Sequence, residues 1–181
     1  MRQSIKIVTV VVCLVMVLTS CNQGPTLQTY YVDSEMQPGF VSYDVPRSFI
    51  NVEGVDLTDK QREAYESVDK LNILAYRVDE SNLEEFNSEL AKIQDILDDA
   101  KYEELMRGGN STDGKFVVKF LGDVDKIDEL ILFGNANDKG FLIARILGDD
   151  MNAGKLMSLQ SVIQNANFDD SRLEELTSFF K

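Results

Sequence analysis

The chain of 181 residues predicts an α+β fold, a mostly antiparallel sheet of about five strands with helices packed on one face. Three observations predict it. One long amphipathic pattern runs through Leu83, Phe86, Leu90, Ile93 and Leu97 at spacings of three and four. One apolar run rich in β-formers precedes it, and four more follow. Those four are separated by turn segments too short for parallel crossovers, which need a dozen residues or more, so the strands pair antiparallel.

Taken in order, Pro46 opens a short helical segment through Ile50 and Val52, ended by Gly54. Thr58 with Gln61 reads as a capping box starting a helix to about Val68. "LNILAYRV" (71–78) is apolar between charged ends and reads as a central strand. Ser81 and Glu84 repeat the capping-box spacing before the long helix. "YEELMR" (102–107), "KFVVKFL" (115–121), "IDELILF" (127–133) and "GFLIARIL" (140–147) are the later strands. Asn152 caps a helix with Leu156, Leu159, Ile163 and Ala166 on its face; Ser171 with Glu174 starts a last one carrying Leu173, Leu176 and Phe180. The order is β-α-β-β-β-β-α.

Charge narrows the partners. Eighteen Lys and Arg against 31 Asp and Glu give −13, and both cations of the first twenty residues, Arg2 and Lys6, lie in a segment expected to be removed. A surface of that sign repels phosphate backbones, so no nucleic-acid partner is expected. With 44% apolar residues the chain can still bury a core.

The N-terminus carries an address. Residues 1–6 are basic, 7–18 apolar, and Thr19 and Ser20 small, the three-part layout of a secretory signal peptide. Twelve apolar residues span roughly 18 Å as a helix, short of the ~30 Å hydrocarbon core, which weighs against a transmembrane helix. Leu18-Thr19-Ser20-Cys21 resembles the lipobox of bacterial lipoproteins, in which the cysteine sulfur is alkylated with diacylglycerol and signal peptidase II cuts before it. Four letters alone are common; their place after a basic start and an apolar run carries the weight. The resemblance implies cleavage between Ser20 and Cys21, lipidation of Cys21 and a membrane-anchored mature chain. Cys13 leaves with the signal, so no disulfide is expected. The organisation expected is a signal peptide over 1–20, lipidated cysteine and tether over 21–45, and a single globular domain over 46–181. Two dozen tether residues would reach ~80 Å extended and about 27 Å as a coil. Tyr30, Tyr31, Met36 and Phe40 are unusual in a linker.

Histidine is absent, which excludes Ser-His-Asp triads and His-containing zinc sites. The pairs Asp98-Asp99, Glu103-Glu104 and Asp149-Asp150 have the chemistry for a hard cation or acid-base work, but each falls at an element end or exposed edge, where charge is solvated. "NANDKG" (135–140) starts like a calcium loop and then fails, with Ile146 where the bidentate Glu belongs and Lys139 at a ligand position. "GDVDKIDE" (122–129) lacks the loop glycine, and "RGGNSTDGK" (107–115) lacks the lysine-serine order of a phosphate loop. "NST" (110–112) is a polar loop at a bacterial address. No catalytic residue, metal ligand or cofactor is expected.

"VPRSFINVEGVDLTDKQREAYESVDKLNILAYR" and "FVVKFLGDVDKIDELILFGNANDKGFLIARILGDDMNAGKL" are similar to the small Gram-negative envelope lipoproteins grouped as domain of unknown function 4252, over about residues 44–166. That family offers no catalytic residue set to carry over. Among related lipoproteins an acidic cluster after the cysteine directs export to the cell surface. Here "CNQGPTLQTYYV" has no acid before Asp33, and the analogy implies the periplasmic face of the outer membrane rather than the exterior. The expectation is a non-enzymatic binding or scaffolding lipoprotein with an envelope protein partner. The alternatives are a carboxylate-dependent envelope enzyme, a small-ligand carrier, or a sensor feeding a regulator.

Overall fold

The apolar run 71–78 becomes an interior strand of the sheet, in which Leu74, Ala75 and Tyr76 are fully buried. A computed structural model describes residues 24–110, 114–136, 139–159 and 167–168. Its strands are β1 (Phe40–Pro46), β2 (Ile50–Asn51), β3 (Val68–Arg77), β4 (Glu103–Asn110), β5 (Gly114–Asp123), β6 (Lys126–Ala136), β7 (Gly140–Met151) and β8 (Asn167–Phe168). Its helices are α1 (Leu27–Ser34), α2 (Asp59–Ser67), α3 (Leu83–Leu97) and α4 (Ala153–Leu156), with 3₁₀ turns at Arg47–Phe49 and Met157–Leu159. Six strands form one sheet in the order β1-β3-β7-β6-β5-β4, every pair antiparallel, and β2 pairs with β8 apart from it.

The α+β architecture is as predicted, with one strand more. That strand corrects the reading of 21–45 as a tether: from Leu27 onward the segment belongs to the domain. Thr26 and Thr29 close a reciprocal cap on α1. Leu27, Tyr30 and Tyr31 then enter the core, and β1 pairs with β3 from Phe40↔Tyr76 to Pro46↔Lys70. Aromatic residues dense enough to cover a sheet override the proline and glycine signals around them. The helix expected after Pro46 is a single 3₁₀ turn followed by β2. Thr58 and Gln61 do form their capping box. Ser81 and Glu84 do not, because the Ser81 hydroxyl donates to Asp79 Oδ1 (2.6 Å) and Asn82 becomes the N-cap with its side chain turned back to the Asp79 N–H (2.8 Å). The Asn152 cap forms over a helix of one turn; the expected helix from Ser171 lies outside the described residues.

Sheet pleating sends alternate side chains to opposite faces, so each face has its own cover. On the first face α1 and α3 press Phe86, Ile93, Ile96, Leu97 and Leu27 against Leu74, Tyr76, Ile131, Phe133, Phe141 and Ile143. At its centre the Tyr76 and Phe141 rings stack at 5.6 Å and Phe40 meets Tyr76 edge-on at 4.8 Å. Backbone approaches backbone closely here: Gly140 has φ +128°, and a Cβ on it would collide with the Tyr76 carbonyl.

One end of the same face is polar. Tyr31 Oη donates to Asp44 Oδ1 (3.0 Å), and Asn72 Nδ2 donates to the same oxygen. Beside them Arg145 holds Glu129 with two bonds, Nε to Oε1 at 2.5 Å and Nη2 to Oε2 at 3.1 Å. Arg145 is only 2% exposed, so the pair is a buried one.

Burial, reinforced by neighbouring carboxylates, raises the hydroxyl pKa of Tyr30 and of Tyr31, and burial above all pushes Tyr76 up to about 12. The fold therefore disfavours phenolate. Stability from these groups is fully present below the unfolded tyrosine value of 10.0 and is lost as pH climbs from there through the raised folded values. An alkaline titration followed by circular dichroism and phenolate absorbance should show unfolding and tyrosine ionisation in one cooperative step above pH 10. Free ionisation of these phenols without loss of structure would contradict the packing described.

Candidate functional site

The second sheet face is assembled from the other half of each strand. Directly opposed pairs define two rows that cross all six strands. One row is Val41, Ala75, Leu142, Gly134, Phe116 and Gly108; the other is Tyr43, Ile73, Ala144, Leu132, Val118 and Met106. Neither row holds a charged residue, in a chain that is 27% charged. An antiparallel sheet with one face in water normally alternates apolar-in with polar-out, and this face does not.

Among the described residues, cover exists only at one end. Ala153 and Leu156 of α4 pack with Leu105, Phe120, Leu130 and Ile146, closing a small second core. Helix α2 is tied to α4 and the turn beyond it by Lys155 Nζ to Glu63 Oε2 (2.6 Å) and Gln61 Nε2 to Ser158 O (3.3 Å). Beyond that end, Met106 (49%), Leu132 (40%) and Phe116 (38%) stand exposed side by side. Exposed apolar residues in contiguous register mark an interaction surface more than scattered ones do.

A groove of about 320 Å³ lies in this face, with Gly134 at its floor and Phe116, Leu142, Ala136, Gly140 and Lys115 around it. Its shape follows from missing side chains. The Phe116 ring leans over Gly108, where a Cβ would sit 2.6 Å from Cε1, and Gly134 has open space above it, with nothing within 4 Å of the point a Cβ would occupy. The result is a hole between two large side chains, sized for an apolar knob.

Two other depressions are internally satisfied. The cleft between α1 and α3, about 290 Å³, contains Tyr30 donating to Glu89 (2.7 Å) and Glu89 paired with Lys92 (2.6 Å). The hollow below the C-terminus of α3 is crossed by Lys119, whose Nζ donates to Leu97 O (2.6 Å) and Tyr102 O (3.1 Å).

The sequence-predicted residues are dispersed. Cys21 and Ser20 lie outside the described residues. Asp98 and Asp99 end α3, and Asp99 is held below the usual carboxylate range by the Lys101 backbone N–H. Glu103 and Glu104 begin β4, Glu104 being lowered by its bond to Arg107. Asp149 and Asp150 stand near the end of β7, where Lys126 (2.8 Å) lowers Asp150. No two of these pairs converge, and among the described residues no group of three His, Cys, Asp or Glu is placed to hold a metal ion. Among the described residues no helix is long and apolar enough to cross a membrane. "NANDKG" and "RGGNSTDGK" fall at the β6–β7 and β4–β5 turns, partly outside the described residues.

The open face is not among the sequence expectations. Its signal is nevertheless present: in "KFVVKFL", "ELILFG" and "FLIARI" both alternating sets are largely apolar, which reads as burial on both sides. The family described as "Domain of unknown function (DUF4252)" matches residues 30–159. No curated protein and no solved structure matches the chain.

Proposed function

The chain belongs to the domain of unknown function 4252 family, and from that premise we propose that it is a lipid-anchored envelope protein that binds another protein without catalysing a reaction. Cys21 is the anchor, acylated after cleavage behind Ser20, and the periplasmic face of the outer membrane is its place. The observation that carries binding is the partly exposed sheet face, with its two uncharged rows and its groove above Gly134. Its occupant is an apolar side chain of an envelope protein, inserted between Phe116 and Leu142. The acid excess supports a protein over an anionic lipid surface or nucleic acid, because both of those bind through basic patches.

Gly134→Val tests it. The added side chain fills the groove, meets no neighbour at its Cβ, and suits a strand, so the melting temperature should hold or rise. Crosslinking in intact cells followed by mass spectrometry should recover one protein with the wild type and lose it with Gly134→Val. The same experiment with Cys21→Ala should show an unacylated precursor and no partner. Equal recovery by all three forms would overturn the reading.

A further inference from the structure

We infer that the short link from Cys21 to Gly24 holds the bilayer beside the N-terminus of α1 and the last turns of α3, with the groove above Gly134 turned away from it; this rests on the Cys21 anchor proposed above. The partner is then met on the aqueous side. Covalent geometry sets the limit: at ~3.8 Å per Cα step, three steps keep the acylated residue within about 11 Å of Gly24, whatever path joins them.

The link is rooted firmly at its domain end. Gly24 is exposed, Pro25 lines the cleft between α1 and α3 together with Lys92, Asp95 and Ile96, and Thr26 caps α1. Next to it Leu27, 1% exposed, donates its backbone N–H to Tyr102 Oη (3.1 Å). Lipid headgroups therefore meet the domain on the side the helices occupy. Asp33 and Asp95 are exposed there, so that side rests against headgroups and stays out of the hydrocarbon.

The groove lies at the other end of α3 and on the other face of the sheet. Asn82, the N-cap of α3, donates from Nδ2 to Arg77 O (2.9 Å), and Arg77 is the strand partner of Gly140, which lines the groove. Thirteen residues of helix from Asn82 to Asp95 measure about 20 Å, and the helical layer adds about 10 Å of thickness, for a diagonal near 22 Å. That is about twice the reach of the link. A segment embedded in lipid cannot enter the groove, so its occupant is an apolar side chain on the water-exposed part of an envelope protein.

The test uses the full lipidated chain on phosphatidylcholine vesicles doped with a lipid that carries a nitroxide on its headgroup. The Cys21 sulfur is taken up in its thioether and Cys13 is removed with the signal, so an engineered cysteine is the one free thiol. Asp95→Cys, beside the root, and Lys139→Cys, in the turn before Gly140, are both at exposed positions and each receive a bimane fluorophore. Quenching should be several-fold stronger at 95 than at 139. A flexible Gly-Ser insert of about twenty residues after Gln23, with ~25 Å of reach, should bring the two positions to equal quenching. Equal quenching without the insert, or stronger quenching at 139, in protein that floats with the vesicles overturns the orientation and leaves the anchor standing. A preference for 95 that survives the insert overturns the link as its cause. A chain that does not float with the vesicles removes the anchor, and the orientation with it.

Discussion

Glu129→Ala is expected to destabilise the fold by about 3–5 kcal/mol, because it leaves a buried guanidinium without its counter-ion. Arg145 is 2% exposed, and its Nη1 already has no partner among the described residues, so the cation has no alternative acceptor to turn to. Its guanidinium lies 5.8 Å from the Tyr31 ring centre, which is too weak a contact to replace a carboxylate. Removing both charges distinguishes pair from packing. Glu129→Met with Arg145→Met should recover most of the loss, since a buried pair exchanged for apolar volume is near neutral. Urea unfolding of the wild type, the single and the double variant is the measurement. A single variant as stable as the wild type would show that water reaches Arg145.

Phe141→Ala should be comparably damaging, about 3–5 kcal/mol, which for a chain of this size corresponds to roughly 10–15 °C in melting temperature. Phe141 is fully buried and touches four aromatic rings: Tyr76 at 5.6 Å, Phe86 at 6.1 Å, and Phe40 and Phe133 each at 6.2 Å. Those rings come from β1, β3, α3 and β6, so one truncation opens a cavity that no single element can close by shifting. Phe141→Leu should recover part of the loss. If scanning calorimetry found Phe141→Ala melting with the wild type, the first face would be packed differently from the arrangement described.

The strands from β3 to β7 and helix α3 are legible in the sequence because local chemistry and tertiary need agree there. Turn residues separate apolar runs, and the stripe of α3 is read directly as its buried face, with Phe86, Ile93 and Leu97 in the core. The segment 27–46 is hard to read for the opposite reason. Pro38, Gly39 and Pro46 signal a linker locally, while Tyr30, Tyr31 and Phe40 act through partners such as Glu89, Arg145 and Tyr76, far along the chain. The same limit hides the candidate site. Gly134 looks like a turn residue at the end of "ELILF", and only the register that sets it between Phe116 and Leu142 makes it the floor of a groove. The carboxylate pairs mislead the other way, since adjacency in sequence places them at element ends without bringing any two together.

Strand order carries one last consequence. β7 lies between β3 and β6, yet it is the final strand of the main sheet to leave the ribosome. A nascent chain ending before Gly140 holds two fragments, a β1–β3 pair and a β4-to-β6 meander, with no hydrogen-bonded ladder joining them. Cooperative folding must wait for Met151 to emerge, and long-range closure of this kind is slow. A polypeptide built so stays loosely structured until β7 has been made, the condition in which threading through a narrow translocation channel meets least resistance.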